Sequence, residues 1–244
     1  LFTILLAKFP FPLAFVFSLV LSGLFSLLIE RQAFRPLREK GAPNLNLLIT
    51  SIGVSLLVEN GIVVFFSADF YSFPSSILSP VPLNLGIATL ARADLLLTTV
   101  AVGLMVFLYL FVNHTKAGTA IQAVAYDRQA AALMGININL TISYTFFIAG
   151  LMASAAGILI GMKFNVNPYL SGLFGLKSFA AAVVGGIGSI PGAYLGGYLI
   201  GILETLGAGY INSNYKDAIS FVLLVLILLF RPAGLLGRKI QEKV

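Results

Sequence analysis

The sequence predicts an all-α fold, a polytopic membrane helical bundle of about seven spans, and three observations predict it. The 244 residues are 59% hydrophobic and only 10% charged, against about 25% charged in an ordinary soluble domain. The apolar residues form continuous runs and do not alternate every second position, which argues against a strand barrel. Basic residues gather beside these runs at two places, as they do on the cytoplasmic side of membrane proteins. A helix satisfies its backbone polar groups within its own segment, so runs of this kind can enter lipid as helices.

The runs fall near residues 13–29, 45–66, 95–112, 140–162, 176–190, 193–208 and 218–230, within one transmembrane domain spanning 1–244. The chain begins at Leu1, with residues 1–6 resembling the tail of an earlier span, so an incomplete N-terminus is expected. The first run leads into "ERQAFRPLREKGAPN", with Arg31, Arg35, Arg38 and Lys40. The last leads into "RPAGLLGRKIQEKV", with Arg231, Arg238, Lys239 and Lys243. These arginines and lysines are most simply determinants of topology. Seven crossings put residue 1 outside, both clusters inside, and the C-terminus in the cytoplasm. Cytoplasmic loops then lie at about 30–44 and 113–139, and a Pro- and Ser-rich external loop at about 67–94. With Lys116 and Arg128 added to the eight residues of the two clusters, ten of the fifteen Lys and Arg are inside.

The run at 176–190 is only about 15 residues, roughly 22 Å of helix, and the join "GGIGSIPG" carries no charge. Two full crossings and a hairpin dipping partway into the bilayer both fit. Gly188, Gly192 and Gly196 recur every four residues, as do the pairs Gly197/Gly201 and Gly157/Gly161. Such spacing lets helix backbones approach closely; a broken helix lining a substrate site is the other reading.

Between two greasy runs stands "TAIQAVAYDRQAAALMGININ", residues 119–139. Thr119 and Gln122 have the spacing of a capping box, seven alanines between Ala117 and Gly135 favour helix, and Gly135 supplies a left-handed stop. A helix of roughly 24 Å over 119–134 is expected, with Asn139 capping the next span. Gln122, Tyr126 and Gln129 share a face, beside Asp127 and Arg128. A membrane-surface helix would be Lys-rich on one side and bulky on the other. This short-sided helix fits a groove on a partner, or is a plain connection.

Catalytic chemistry has little to draw on. There is no Cys, and the single His114 stands at a membrane edge. No G-x-x-x-x-G-K-[ST] loop occurs, so any ATP is bound elsewhere. The net charge of +6 follows from the topology and does not call for nucleic acid. Ionisable groups inside spans tend to face water or partners. Glu59, with Asn60 beside it, and Glu204 are therefore candidates for a substrate path or, equally, interior hydrogen-bonding residues. Asn165 and Asn167, in "KFNVNPYLSG", are candidates to touch a delivering protein at the outer mouth, or form an ordinary turn.

The blocks "ERQAFRPLREKGAPNLNLLITSIGVSLLVEN", "AVAYDRQAAALMGININ", "GLKSFAAAVVGGIGSIPGAYLGGYLIGILE" and "RPAGLLGR" span nearly the whole chain. In this order they resemble the inner-membrane permease subunits of branched-chain amino acid ABC transporters. The resemblance implies that 119–139 holds the short cytoplasmic coupling helix seated in an ATPase cleft. "QAAALMG", from Gln129, is similar to the wider pattern E-A-A-x-x-x-G with Gln for Glu, so no charge role passes to Gln129. Family members also begin with helices bearing an "NFAHGE"-like motif that has no match here. Also implied are the lipid bilayer of a bacterial inner membrane, a second homologous permease, and a periplasmic substrate-binding protein. Two ATPase subunits would bring ATP and Mg, leaving no cofactor in this chain. Leu, Ile and Val are the implied cargo. Relatives for urea, short amides or other amino acids share the same blocks. An ion-coupled secondary carrier is the reading from another class; it calls for inverted repeats and a coupling-ion site that the sequence does not display.

Overall fold

The computed structural model describes residues 10–66, 69, 71, 83–84, 89–90, 92–210, 212–231 and 233–237. Most of the expected external loop 67–94, the first six residues, and Arg238, Lys239 and Lys243 lie outside them. The chain divides into two compact units, Leu1–Pro168 and Tyr169–Val244.

In the first unit, α1 (Phe11–Ile29) has proline in its opening turn, where a missing N–H breaks no helical bond. It runs through a π-helical turn, Glu30–Phe34, into α2 (Arg35–Glu39). Then come α3 (Asn44–Phe66), the two-residue strands β1 (Leu83–Asn84) and β2 (Thr89–Leu90), and α4 (Arg92–His114). The strands pair antiparallel with Leu83 opposite Leu90. Two short helices, α5 (Lys116–Tyr126) and α6 (Arg128–Leu133), precede the long α7 (Ile138–Lys163). The second unit holds α8 (Leu170–Gly185), α9 (Ile190–Tyr210), a 3-10 turn Ser213–Tyr215, and α10 (Lys216–Phe230).

Among the described residues, five stretches are long and apolar enough to cross a membrane: Phe11–Glu39, Leu45–Phe66, Asp94–His114, Ile138–Lys163 and Ser213–Phe230. α8 and α9 form a pair bent by 117° at their break. Counted as one broken span, the pair brings the total among the described residues to six, roughly consistent with the seven expected. At 1.5 Å per residue α9 is about 31 Å long and matches the hydrocarbon thickness, whereas α8 is about 24 Å and falls short of it.

α1 and α7 form an antiparallel seam of small residues. Ala14 packs on Ile158, and the Ser18 and Ser154 hydroxyls lie 3.3 Å apart. Gly23 meets Gly150, and the Ser26 hydroxyl donates to the Phe146 carbonyl at 2.8 Å. A methyl group on Gly150 would stand 2.6 Å from Ser26 Cβ and 2.9 Å from Gly23 Cα. Lipid tails give two apolar helices no hydrophobic reason to pair, so close approach at small residues supplies the attraction. The two ends of α7 are thereby fixed. Its start meets residues 30–39 through Arg38 and Asn139. Its end carries the Lys163–Asp94 ion pair at 2.7 Å, and Val166 just beyond it exchanges backbone hydrogen bonds with Tyr71.

In the second unit the chain reverses at Gly186 (φ +109°) and Gly188 (φ +90°), conformations that an L side chain rarely adopts. Gly185 lies against Gly192, and Gly196 against the Ala181 carbonyl. Only part of the four-residue glycine spacing is therefore a packing seam. Gly157, Gly188 and Gly201 face open space. The C-terminal residues 233–237 fold onto the same reversal. Leu235 and Leu236 donate their N–H groups to the carbonyls of Val184 and Gly185, each at 2.9 Å. Those carbonyls are orphans of a helix end, so the "RPAGLLG" block acts as a backbone clasp.

A charged cluster ties the three helices of this unit together. Lys177 on α8 reaches Glu204 on α9 at 2.8 Å and Asp217 on α10 at 2.7 Å. The Ser220 hydroxyl donates to the same oxygen of the buried Glu204. Below it, Ala180, Val184 and Ile200 pack with Leu223, Leu224 and Ile227.

Two expectations follow for detergent-solubilised protein followed by thermal unfolding. Gly192→Leu should destabilise the protein by about 1–3 kcal/mol or more through overpacking, whereas Gly201→Leu should leave the midpoint nearly unchanged. Lys177→Met strands the Glu204 carboxylate and should cost about 3–5 kcal/mol; the double variant K177M/E204Q should recover most of that loss.

Candidate functional site

The polar stretch between α4 and α7 is an elbow of two helices. α4 ends at His114 and α5 starts at Lys116, leaving Thr115 as the only residue between them. Thr115 accepts from the Gly118 N–H at 3.0 Å and donates to the Phe111 carbonyl at 2.7 Å. Gly118 sits so near the Phe111 and Val112 carbonyls that any side chain would strike them.

The expected capping box is not formed. Thr119 lies inside the helix, donating to the Lys116 carbonyl at 2.9 Å. Gln122 turns back and donates to the Val112 carbonyl at 3.0 Å and to Asn113 Oδ1 at 3.1 Å. The start moved one turn earlier because the apolar run ends in a residue that is itself a good cap. Gln122 instead satisfies the frayed end of α4.

The single helix expected over 119–134 is also broken. Asp127 has extended backbone (φ −153°, ψ 110°), and its carboxylate accepts the N–H groups of Gln129 at 2.9 Å and Ala130 at 3.0 Å. An aspartate that bonds its own following amides prefers a cap to a helix interior. The face expected to join Gln122, Tyr126 and Gln129 is therefore interrupted. Gly135 does end the elbow as expected, at φ +82°. The Ile136 and Gly135 amides bond to the Ala131 and Ala132 carbonyls in a Schellman turn. The cap of α7 is Asn137, which accepts from the Leu140 N–H at 3.1 Å. Asn139 is left for another role.

Five backbone-directed side chains and turns thus hold the elbow rigid. Gly118, Val124 and Ala131 are buried beneath it. Tyr126, Leu133 and Met134 stand out at 83%, 90% and 83% exposure, with Arg128 and Gln129 exposed between them. Aromatic residues, Met and Arg are enriched in protein interfaces. The arrangement pairs no nucleophile with a base. It presents a firm apolar tip.

Behind the elbow lies a polar knot whose key residue, Arg38, reads in sequence as a topology determinant. Glu30 is fully buried at the start of the π turn. Its carboxylate accepts from Arg38 Nη2 at 2.8 Å and from the Ser143 hydroxyl at 2.8 Å. Arg38 Nη2 also donates to Asn139 Oδ1 at 2.9 Å, and Asn139 Nδ2 donates to Glu39 Oε1 at 3.2 Å. Phe34 packs on Phe146 alongside, with ring centroids 5.3 Å apart. A Glu eight residues before an Arg, at the end of an apolar run, was the available signal. A carboxylate there needs a partner.

The remaining candidates separate. Glu59 is half-exposed on α3, and the Asn60 amide donates to its own helix at the Leu56 carbonyl, 2.7 Å away. Glu204 belongs to the other compact unit and is engaged by Lys177 and Ser220. Lys177, inside an apolar run, is the residue that sequence reasoning missed; a lysine there signals a carboxylate partner. Asn165 is exposed just past α7, and Asn167 Oδ1 is buried without a hydrogen-bond partner among the described residues.

Comparison with known proteins places this elbow and these helices in a family. The family described as "Branched-chain amino acid transport system / permease component" matches residues 1–228. The permease protein BraD of a high-affinity branched-chain amino acid transport system in Pseudomonas aeruginosa is 40% identical over 237 residues, 95% of this chain and 76% of its own length. The corresponding permease LivH of Escherichia coli K12 is 38% identical over 237 residues, 94% of this chain and 75% of its own. A probable branched-chain amino acid transport permease, LivH of Methanocaldococcus jannaschii, is 30% identical over 220 residues, 86% of this chain and 70% of its own. No solved structure matches the chain. With multiple membrane-crossing helices and a family match over most of its length, the chain belongs to the branched-chain amino acid transport permeases.

Proposed function

We propose that this chain is the membrane subunit through which an ATP-driven importer of the bacterial inner membrane moves Leu, Ile and Val. It would line the path with a second permease of its kind, be fed by a periplasmic binding protein, and be driven by two ATPase subunits that handle ATP and Mg. The observation that carries the mechanism is the elbow 116–135. Its apolar tip is exposed, while its other side is pinned to the ends of α4 and α7. A backbone anchored before contact loses little entropy on binding, so the tip suits a cleft on an ATPase. The elbow shares its end of the first unit with the basic segment 31–40, which supports a cytoplasmic location for both and for the C-terminus.

ATP-driven closure of the two ATPases would then push on the elbow, and α4 and α7 would carry the displacement into the membrane. Asn165 and Asn167, at the far end of α7, would face the binding protein. We assign Glu59 and Asn60 to the path, where a half-exposed carboxylate can meet an ammonium group. Glu204 is occupied by its ties to Lys177 and Ser220.

Replacing Leu133 and Met134 together by Asp should weaken ATPase binding by about a hundredfold, two hot-spot contacts at about tenfold each. The measurement is copurification of the ATPase subunits, with membrane insertion as control; wild-type recovery would refute the docking role. In proteoliposomes, leucine uptake should be inhibited by isoleucine and valine and left untouched by urea.

A further inference from the structure

The knot behind the elbow is built so that it can exist in two arrangements. Arg38 uses one nitrogen twice: Nη2 serves both Glu30 Oε1 and Asn139 Oδ1. Its Nε is buried with no acceptor among the described residues. A guanidinium presents Nε and Nη2 along one edge, spaced to meet both oxygens of a carboxylate. The second oxygen of Glu30 is held instead by Ser143. A small rotation of Arg38 toward Glu30 would satisfy the orphaned Nε on the oxygen that Ser143 holds, loosening the bonds of Asn139 and Ser143.

The charge pair survives that exchange. Breaking a buried ion pair outright leaves an uncompensated charge, which is strongly unfavourable. Here Glu30 and Arg38 face each other in both arrangements, and only bonds to neutral partners change hands. The groups released, Asn139 and Ser143, both belong to the first turns of α7. Asn139 stands four residues beyond Gly135, the end of the elbow. Glu30 opens a π turn, an insertion that recurs at functional sites in helices. Transmission between distant sites needs an element with two discrete packings that both sites bias.

We propose that Arg38 and Asn139 are positioning residues that couple the elbow to α1, the Arg38–Asn139 bond being the link that opens when the elbow is displaced. In the resting arrangement Asn139 ties α7 to the α1–α2 segment. A pull on residues 136–139 draws Asn139 away from Arg38 and Glu39, Arg38 closes both nitrogens on Glu30, and the start of α7 is freed to move against the α1–α2 segment. This coupling rests on the docking role proposed above for the elbow.

The test uses the whole complex, copurified with its ATPase subunits and reconstituted in proteoliposomes, measuring ATP hydrolysis and leucine uptake together. Asn139→Ala should retain the ATPases but lower the leucine moved per ATP by about fivefold or more, because hydrolysis proceeds without gripping the link. Arg38→Lys, which keeps the charge and loses the planar fork, should lower the ratio in the same direction. Asn139→Asp should hold Arg38 in the resting arrangement, slowing hydrolysis and uptake together by about fivefold with their ratio unchanged. A wild-type ratio in Asn139→Ala, or an equal fall in both of its rates, overturns the proposal. Failure of the ATPases to copurify with the wild-type chain would overturn the docking role, and this coupling with it.

Discussion

A helix in hydrocarbon meets a solvent that offers its polar groups nothing and gives its apolar side chains no reason to prefer a neighbour. Everything that holds this protein together answers that constraint. The α1–α7 seam relies on Gly23, Gly150 and a ladder of serines that bring two backbones close. The α8–α9 bend relies on Gly185, Gly192 and Gly196 in the same way. Large apolar residues such as Leu57, Val64 and Phe65 contribute little to these seams and remain on the outside, where lipid suits them.

The same constraint governs charge. Among the described residues, each buried carboxylate is matched by a cation: Glu30 by Arg38, Glu204 by Lys177. The two clusters differ in how completely they are closed. In the second unit, Lys177 has a carboxylate on either side and Ser220 completes Glu204, so three helices are fastened. In the first, Arg38 leaves one nitrogen unused and shares another. A fully satisfied cluster rigidifies the helices it joins; the incompletely satisfied one is where we propose a second arrangement.

At the elbow, polar residues build and apolar residues are left on the surface. Thr115, Gln122, Asp127 and Asn137 direct their side chains at backbone groups that would otherwise be orphaned at helix ends. The exposed positions are held by Tyr126, Leu133 and Met134. The polar residues of this segment are thus engaged in its own frame. Short helices have a large share of end groups, and satisfying those ends consumes the hydrogen-bonding side chains.

The sequence by itself determined the helical bundle, the positions of its apolar segments, the polar break between α4 and α7, and its glycine stop. These follow from one-dimensional quantities: run length against bilayer thickness, and the φ that Gly135 alone accepts easily. It could not decide which of two threonines, four residues apart, caps α5, because Thr115 and Thr119 carry the same chemistry and only the end of α4 distinguishes them. Nor could it show that Asp127 breaks the elbow or that "RPAGLLG" clasps the turn at Gly186. The ties from Arg38 to Asn139 and from Lys177 to Glu204 were equally illegible, since they join residues 101 apart and on separate helices. Partners of buried charges are chosen by which helices lie side by side, and that choice exists only once the chain has folded.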